Sequence, residues 1–159
     1  MVDGEFLNYA EDMLNSVDCI LFGRKTYQMM APYRTTPEAK SNHPVIAAKM
    51  NGLPKIVFSK TLDNVEWKNT TLVKDDLKNT ILKLKEEPGK DMVILGSGSI
   101  VSIFTQMGII DEYRFIINPV ILGDGNLQFA GKPGKKPLKL IDVKRFNSGV
   151  VILYYQPII

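Results

Sequence analysis

Asp91-Met92-Val93-Ile94-Leu95-Gly96-Ser97-Gly98-Ser99-Ile100 is the stretch whose reading decides the fold. Its continuous apolar run predicts a strand buried on both faces rather than a half-exposed one. The run enters a glycine-serine turn and leaves it as a helix over about residues 100–107. The glycines permit backbone angles and close approach that side chains forbid, and Ser97 or Ser99 can cap the helix. Unpaired N–H groups and the helix dipole then face the space above the strand end, which suits an anion. A tight strand-to-helix connection with nothing bound is the alternative. Val101 replaces the third glycine of GxGxxG, and the strand comes late in the chain, so a doubly wound dehydrogenase loses ground.

Working outward, Phe6, Tyr9, Ala10, Met13 and Leu14 recur at helical spacing and predict an amphipathic helix over about residues 4–16. Asp18 to Gly23 follows as a buried strand, and a second helix runs from Thr26 until Pro32 closes it. Pro32 to Pro44 reads as a surface loop, with a short helix over about 44–50 that Pro44 can open. Lys55 to Ser59 and Thr70 to Val73 are further strands, and Leu77, Ile81 and Leu84 mark the helix after them. Beyond the glycine-serine turn, Glu112 to Val120 reads as a long strand. Leu138 to Arg145 and Val150 to Tyr155 form a hairpin about Asn147-Ser148-Gly149. Strands alternating with helices predict an α/β sheet, mostly parallel, with an antiparallel C-terminal edge. Residues 1–159 read as a single domain.

With 45% hydrophobic and 23% charged residues, the composition is that of an ordinary globular chain. No stretch approaches a membrane span, and the first residues lack the regions of a signal peptide, so the expected location is the cytoplasm. The net charge of +3 is spread along the chain, which gives nucleic acid binding little support. Cys19 has no disulfide partner and reads as a small core residue. With one His and one Cys, the His/Cys clusters of structural zinc or of a Cys-His nucleophile site are hard to assemble, so no metal site is expected.

Two more strand ends resemble the first in chemistry. Phe22-Gly23-Arg24-Lys25-Thr26 places two cations and a hydroxyl at a helix start, where cations oppose the dipole unless an anion lies between them. Ser59-Lys60-Thr61 is the other. Strand ends of a parallel sheet face one edge, so the three turns can converge on an elongated ligand; Arg24, Lys25 and Lys60 suit a dinucleotide with an extra phosphate. Solvated turns are the alternative at each.

Little nucleophile machinery remains. Ser97 or Ser99 as a hydrolase nucleophile lacks a suitably placed His, and His43 reads as an exposed loop residue rather than a general acid. Neighbouring Asp111 and Glu112 point to opposite faces of a strand and do not make a paired-carboxylate site. Tyr113, Phe115, Tyr154 and Tyr155 read as packing residues.

Taken together, Gly23-Arg24-Lys25-Thr26-Tyr27, Lys55 to Leu62, Gly96-Ser97-Gly98-Ser99, Asp111-Glu112-Tyr113-Arg114 and Pro119 to Gly125 resemble the reductase domain of the bifunctional riboflavin-biosynthesis deaminase-reductase and its stand-alone relatives. The resemblance spans nearly the whole chain. It implies the dihydrofolate reductase-like fold, a mixed sheet flanked by helices on both faces, NADPH across the strand ends, a small heterocyclic substrate such as 5-amino-6-ribosylaminouracil phosphate, and a homodimer. By that resemblance Gly23, Arg24, Lys25 and Thr26 hold cofactor phosphate. Ser59, Lys60 and Thr61 hold the adenosine-side phosphate, and Gly96, Ser97, Gly98, Ser99 and Ile100 hold the pyrophosphate. No catalytic side chain is assigned. Leu95 stands where riboflavin-pathway reductases carry a substrate-binding Glu. The resemblance also implies a strand and an Asp-Gly loop ahead of the first helix; the sequence starts at that helix, so the expectation is a sheet without its N-terminal strand. A non-catalytic nucleotide-binding or dimer-forming homologue on the same fold is the alternative reading.

Overall fold

The computed structural model describes residues 4–95, 98–129 and 134–158. The fold is organised around β1 (Val17–Gly23), whose apolar run packs helices on both faces. Ile20 and Phe22 point to one side, and Cys19 and Leu21 to the other, as the two-residue period of a strand requires. On one edge β1 pairs in parallel with β2 (Lys55–Phe58), which pairs in parallel with β3 (Thr70–Val73); on the other it pairs in parallel with β4 (Asp91–Ile94). The order of this sheet is β3-β2-β1-β4.

Helices cover both of its faces. Against Ile20, Phe22 and Val57 lie Leu14 of α1 (Gly4–Asn15), Tyr27 of α2 (Arg24–Arg34) and Ile46 and Met50 of α4 (Pro44–Gly52). Against Cys19, Leu21, Ile56 and Phe58 lie Ile81 of α5 (Leu77–Glu86) and Ile100 and Phe104 of α6 (Gly98–Met107). Removing side chains of this size from water stabilises the fold by about 1.5–3 kcal/mol each. Cys19 lies in this core, and burial pushes its thiol up to about 11.

A second sheet, of order β5-β7-β6, is antiparallel: β5 (Tyr113–Ile117), β6 (Leu138–Arg145) and β7 (Val151–Pro157). Gly149, at φ +92°, makes the hairpin turn. The combination of parallel body and antiparallel C-terminal edge agrees with the sequence reading. Among the described residues, however, no ladder joins β4 to β5, so the strands form two sheets and not one continuous sheet.

Three local expectations need correction. Pro32 does not close α2, which continues to Arg34, because in the last turn a proline forfeits only one backbone hydrogen bond. The segment 32–44 is not wholly loop: it contains α3 (Pro37–Asn42), capped by Thr36 Oγ1 accepting from the Ala39 N–H at 3.2 Å, with Pro37 at the first helical position. The strand expected over Glu112 to Val120 is confined to Tyr113–Ile117, because Pro119 has no N–H to donate to a ladder and the Asn118 carbonyl instead accepts from the Val120 N–H at 2.8 Å.

Lys55 ties two elements from within the core. Its side chain is 1% exposed, and its Nζ donates to the carbonyls of Met50, Asn51 and Leu53 at 2.8, 3.0 and 2.9 Å. These are carbonyls at the end of α4 that the helix itself leaves without donors. Burial pushes the ammonium down to about 8. At neutral pH the three acceptors and the face of Trp67, 4.7 Å away, retain the proton. Lys55→Met is expected to strand these carbonyls and lower unfolding free energy at pH 7 by roughly 1–3 kcal/mol. Urea denaturation measures this; an unchanged midpoint would refute the capping role.

Candidate functional site

Parallel pairing carries the C-terminal ends of β1, β2 and β4 to one edge of the sheet. Gly23 is in register with Phe58, so the turn into α2 and the turn after β2 lie side by side; Leu21 is in register with Ile94, bringing the end of β4 to the same edge. Gly23 is the N-cap of α2 in an extended conformation with no side chain to occupy the helix end. Arg24 and Lys25 are exposed in the first turn, and Thr26 is buried beneath them. No ion pair engages Arg24, Lys25 or Lys60 among the described residues. Two cations at the positive end of a helix without a carboxylate partner fit a bound anion.

At the second turn Ser59 Oγ accepts from the N–H groups of Thr61 and Leu62 at 3.2 and 3.1 Å. This leaves Lys60 and Thr61 exposed at the tip. At the third, Gly96 and Ser97 lie outside the described residues, and so does the peptide between them. Gly98 opens α6, where a Cβ would sit 3.1 Å from the Gln128 carbonyl oxygen; Ser99 is exposed, and Ile100 is buried in the core against β1 and β2. Ile100 therefore anchors the helix, and its side chain does not face the strand-end edge. The parallel register thus brings the ends of β1, β2 and β4 to one edge of the sheet.

Beside this edge lies a cleft of about 1380 Å³ between the two sheets, with Thr26, Leu95 and Gln128 among its lining residues. Thr26 of the first turn of α2 and Leu95 at the end of β4 thus border the cleft, whereas Ser59 to Thr61 are not part of its wall. His43 also lines it and is half-buried at the junction of α3 and α4, so it is not the freely exposed loop residue expected. Asp111 and Glu112 lie ahead of β5 and not at a strand start; Asp111 pairs with Lys85 at 2.8 Å and Glu112 with Arg114 at 2.6 Å, so each has its own cation.

One polar constellation was not read from the sequence. Arg114 of β5 donates through Nη1 to Tyr9 Oη of α1 at 3.2 Å and through Nε to Glu112 at 2.6 Å, and its guanidinium lies 5.0 Å from the Tyr154 ring centre. Burial alone would lower its pKa, but the hydrogen bonds to Tyr9 and Glu112 outweigh burial and hold it above the usual value. Tyr9 reads as one apolar position of a helical stripe, and only its hydroxyl hints at a polar partner. Among the described residues no group of three His, Cys, Asp or Glu is arranged to hold a metal ion.

The architecture is that of the riboflavin-pathway reductases. It resembles a protein of Shewanella sp. PV-4 ascribed to riboflavin biosynthesis, with a TM-score of 0.73 at 22% identity over 99% of this chain and 81% of that one. It also resembles the Thermotoga maritima diaminohydroxyphosphoribosylaminopyrimidine deaminase/5-amino-6-(5-phosphoribosylamino)uracil reductase, with a TM-score of 0.67 at 16% identity over 99% of this chain and 50% of that one. The model of the RibD C-terminal domain family matches residues 1–152, and the chain belongs to that family. Among its relatives, Bacillus subtilis YyaP is 32% identical over 145 residues, covering 91% of this chain and 77% of YyaP. Bacillus subtilis YwjB is 26% identical over 97% of this chain and 82% of YwjB.

Arg114→Met is expected to lower stability by about 1–3 kcal/mol, since it leaves Glu112 and the Tyr9 hydroxyl without their shared donor. Tyr9→Phe should cost less, because it removes one acceptor and keeps the ring. Equal midpoints for wild type and Arg114→Met in urea denaturation would show that α1 and β5 do not depend on this tie.

Proposed function

We infer that this chain is an NADPH-dependent reductase acting on a small heterocyclic substrate such as 5-amino-6-ribosylaminouracil phosphate. The observation that supports this reading is the convergence of the ends of β1, β2 and β4 on one sheet edge, in a chain that belongs to the RibD C-terminal domain family. When bound, the nicotinamide supplies the hydride, so the protein needs only to bind and orient. Gly23, Arg24, Lys25 and Thr26 would hold one phosphate, and Ser59, Lys60 and Thr61 the adenosine-side phosphate. The helix start at Gly98, Ser99 and Ile100, with Gly96 and Ser97 before it, would receive the pyrophosphate. The exposed, ion-pair-free cations at the first two turns fit such a group. The neighbouring cleft, whose wall carries both apolar and charged residues, supports a small substrate beside the cofactor.

Arg24→Ala and Lys60→Ala should each weaken NADPH more than NADH, by about tenfold for a lost charge-assisted contact. Fluorescence titration of both cofactors tests this. Absence of NADPH binding at submillimolar cofactor would sink the reading, and binding without turnover of any pterin or aminopyrimidine would favour the non-catalytic alternative.

The same reading includes a homodimer in the cytoplasm. Among the described residues no helix is long and apolar enough to cross a membrane. One face of the antiparallel sheet exposes Ile117, Leu140 and Val143 at 52%, 48% and 44%, an apolar surface suited to a second copy. Val143→Lys should halve the mass seen by light scattering; a wild type that is monomeric at micromolar concentration would remove the dimer.

A further inference from the structure

Four lysine or arginine side chains line the cleft, and the protein itself satisfies three of them. Lys85 pairs with Asp111 at 2.8 Å and donates to the Ile109 carbonyl at 2.9 Å. Lys90 Nζ donates to the Asn15 carbonyl at 3.1 Å, and Arg114 is held by Glu112 and Tyr9. Arg34, in the last turn of α2, is the exception. Its Nε and Nη1 are shut off from solvent and have no hydrogen-bond partner among the described residues, and no ion pair there engages it. The guanidinium carbon rests 5.2 Å from the centre of the Tyr33 ring, a contact that uses the face of the cation and not its in-plane N–H groups.

The backbone beneath this side chain is fixed. The Arg34 carbonyl accepts from Asn51 Nδ2 at 2.9 Å, and Asn51 Oδ1 accepts from Trp67 Nε1 at 2.7 Å, so the end of α2 is fastened to α4 and to the segment before β3. Donors buried without acceptors cost free energy that a hydrogen-bonding anion can return. No protein hydrogen bond to Nε or Nη1 has to break when the side chain turns from the exposed Tyr33 ring into the cleft. Position along the helix sets what it can reach. Thr26, Met30 and Arg34 recur at intervals of four on the side of α2 that lines the cleft. At about 1.5 Å per residue, Arg34 lies about 12 Å along the axis from Thr26, beside which the cofactor is proposed to sit.

We propose that Arg34 binds the phosphate at the end of the substrate's sugar arm, and so selects phosphorylated over dephosphorylated heterocycles. This rests on the reading of the chain as a reductase of a phosphate-bearing heterocycle. A ring beside Thr26 and Leu95 directs such an arm along α2, past Met30, and its phosphate meets the guanidinium, whose planar N–H groups match phosphate oxygens. The C-terminal end of a helix repels an anion, so a phosphate there depends on a side-chain cation; at the N-terminal end, backbone N–H groups contribute as well. Arg24 and Lys25 stand at the N-terminal end of α2 and Arg34 at the C-terminal end, so cofactor and substrate phosphates are served by separate cations on one helix.

The experiment uses the 159-residue chain, isotopically labelled and without cofactor. The Arg34 Nε–H resonance is assigned by its absence in Arg34→Gln, and the wild type is titrated with ribose 5-phosphate and, separately, with ribose. A saturable shift of the Arg34 signal with ribose 5-phosphate and none with ribose is expected, and Arg24→Ala should retain it. Followed through backbone amides of α2, Arg34→Gln should raise the Kd for ribose 5-phosphate about tenfold, and Arg34→Lys, which keeps the charge, should raise it less. In calorimetry, wild type should prefer 5-amino-6-ribosylaminouracil phosphate to its dephosphorylated form, and Arg34→Gln should lose that preference. An Arg34 resonance unmoved by ribose 5-phosphate, or a response abolished by Arg24→Ala and not by Arg34→Gln, overturns the proposal. The ribose 5-phosphate titration needs neither NADPH nor turnover, so failure of the cofactor reading leaves a positive result standing. NADPH binding by a chain whose Arg34 does not respond would sink this proposal alone.

Discussion

The structure depends on one constraint, the burial of β1 on both faces and both edges. A strand with Ile20 and Phe22 on one side and Cys19 and Leu21 on the other cannot leave either face in water, so it needs a helical layer above and below. Its neighbours must then be parallel and connected by crossovers, because each connection has to cross a face of the sheet. Parallel pairing in turn brings every strand-to-helix turn to the same edge. The edge at which Gly23, Ser59 and the end of β4 gather is thus a product of core packing before any ligand is considered.

Much of this was legible because the signals were local and redundant. The apolar runs at Ile20 to Phe22 and Met92 to Leu95, with glycine at their ends, mark strands by composition and turns by backbone requirement. The two-sided burial of the first can be read from its lack of polar alternation. Even the missed helix α3 had its signal in Thr36 followed by Pro37, a capping residue before a helix-compatible proline. Three prolines between residues 32 and 44 outweighed it, although a proline at a first helical position or in a last turn costs a helix little.

What could not be read depends on contacts between distant segments. Lys55 looks like a solvent-facing strand terminus, and only the folded chain shows that three carbonyls at the end of α4 surround its ammonium. Tyr9 and Arg114 are more than a hundred positions apart, so neither carries a sign of the other. Family resemblance implied the turns at which phosphates are proposed to bind and a sheet without its first strand. It did not reveal that the two half-sheets would be held apart by α1 and α6 around a lined cleft.

This division of the molecule bears on how binding and chemistry relate. Two of the turns proposed to hold cofactor phosphates, those at Gly23 to Thr26 and Ser59 to Thr61, follow β1 and β2, whose faces are packed by two continuous cores. The region where a substrate would meet the nicotinamide borders the cleft, whose second wall belongs to β5. Phosphate contacts position a ligand through charge and tolerate small displacements, but hydride transfer demands donor and acceptor atoms in near-contact alignment. A cleft bounded by two separate sheets, linked by polar ties such as Arg114 to Tyr9 and Thr105 to Tyr113, offers weaker alignment than a continuous ladder would. Under the proposed reading, cofactor affinity would therefore depend mainly on the parallel sheet, and turnover on how firmly the two sheets are held in register.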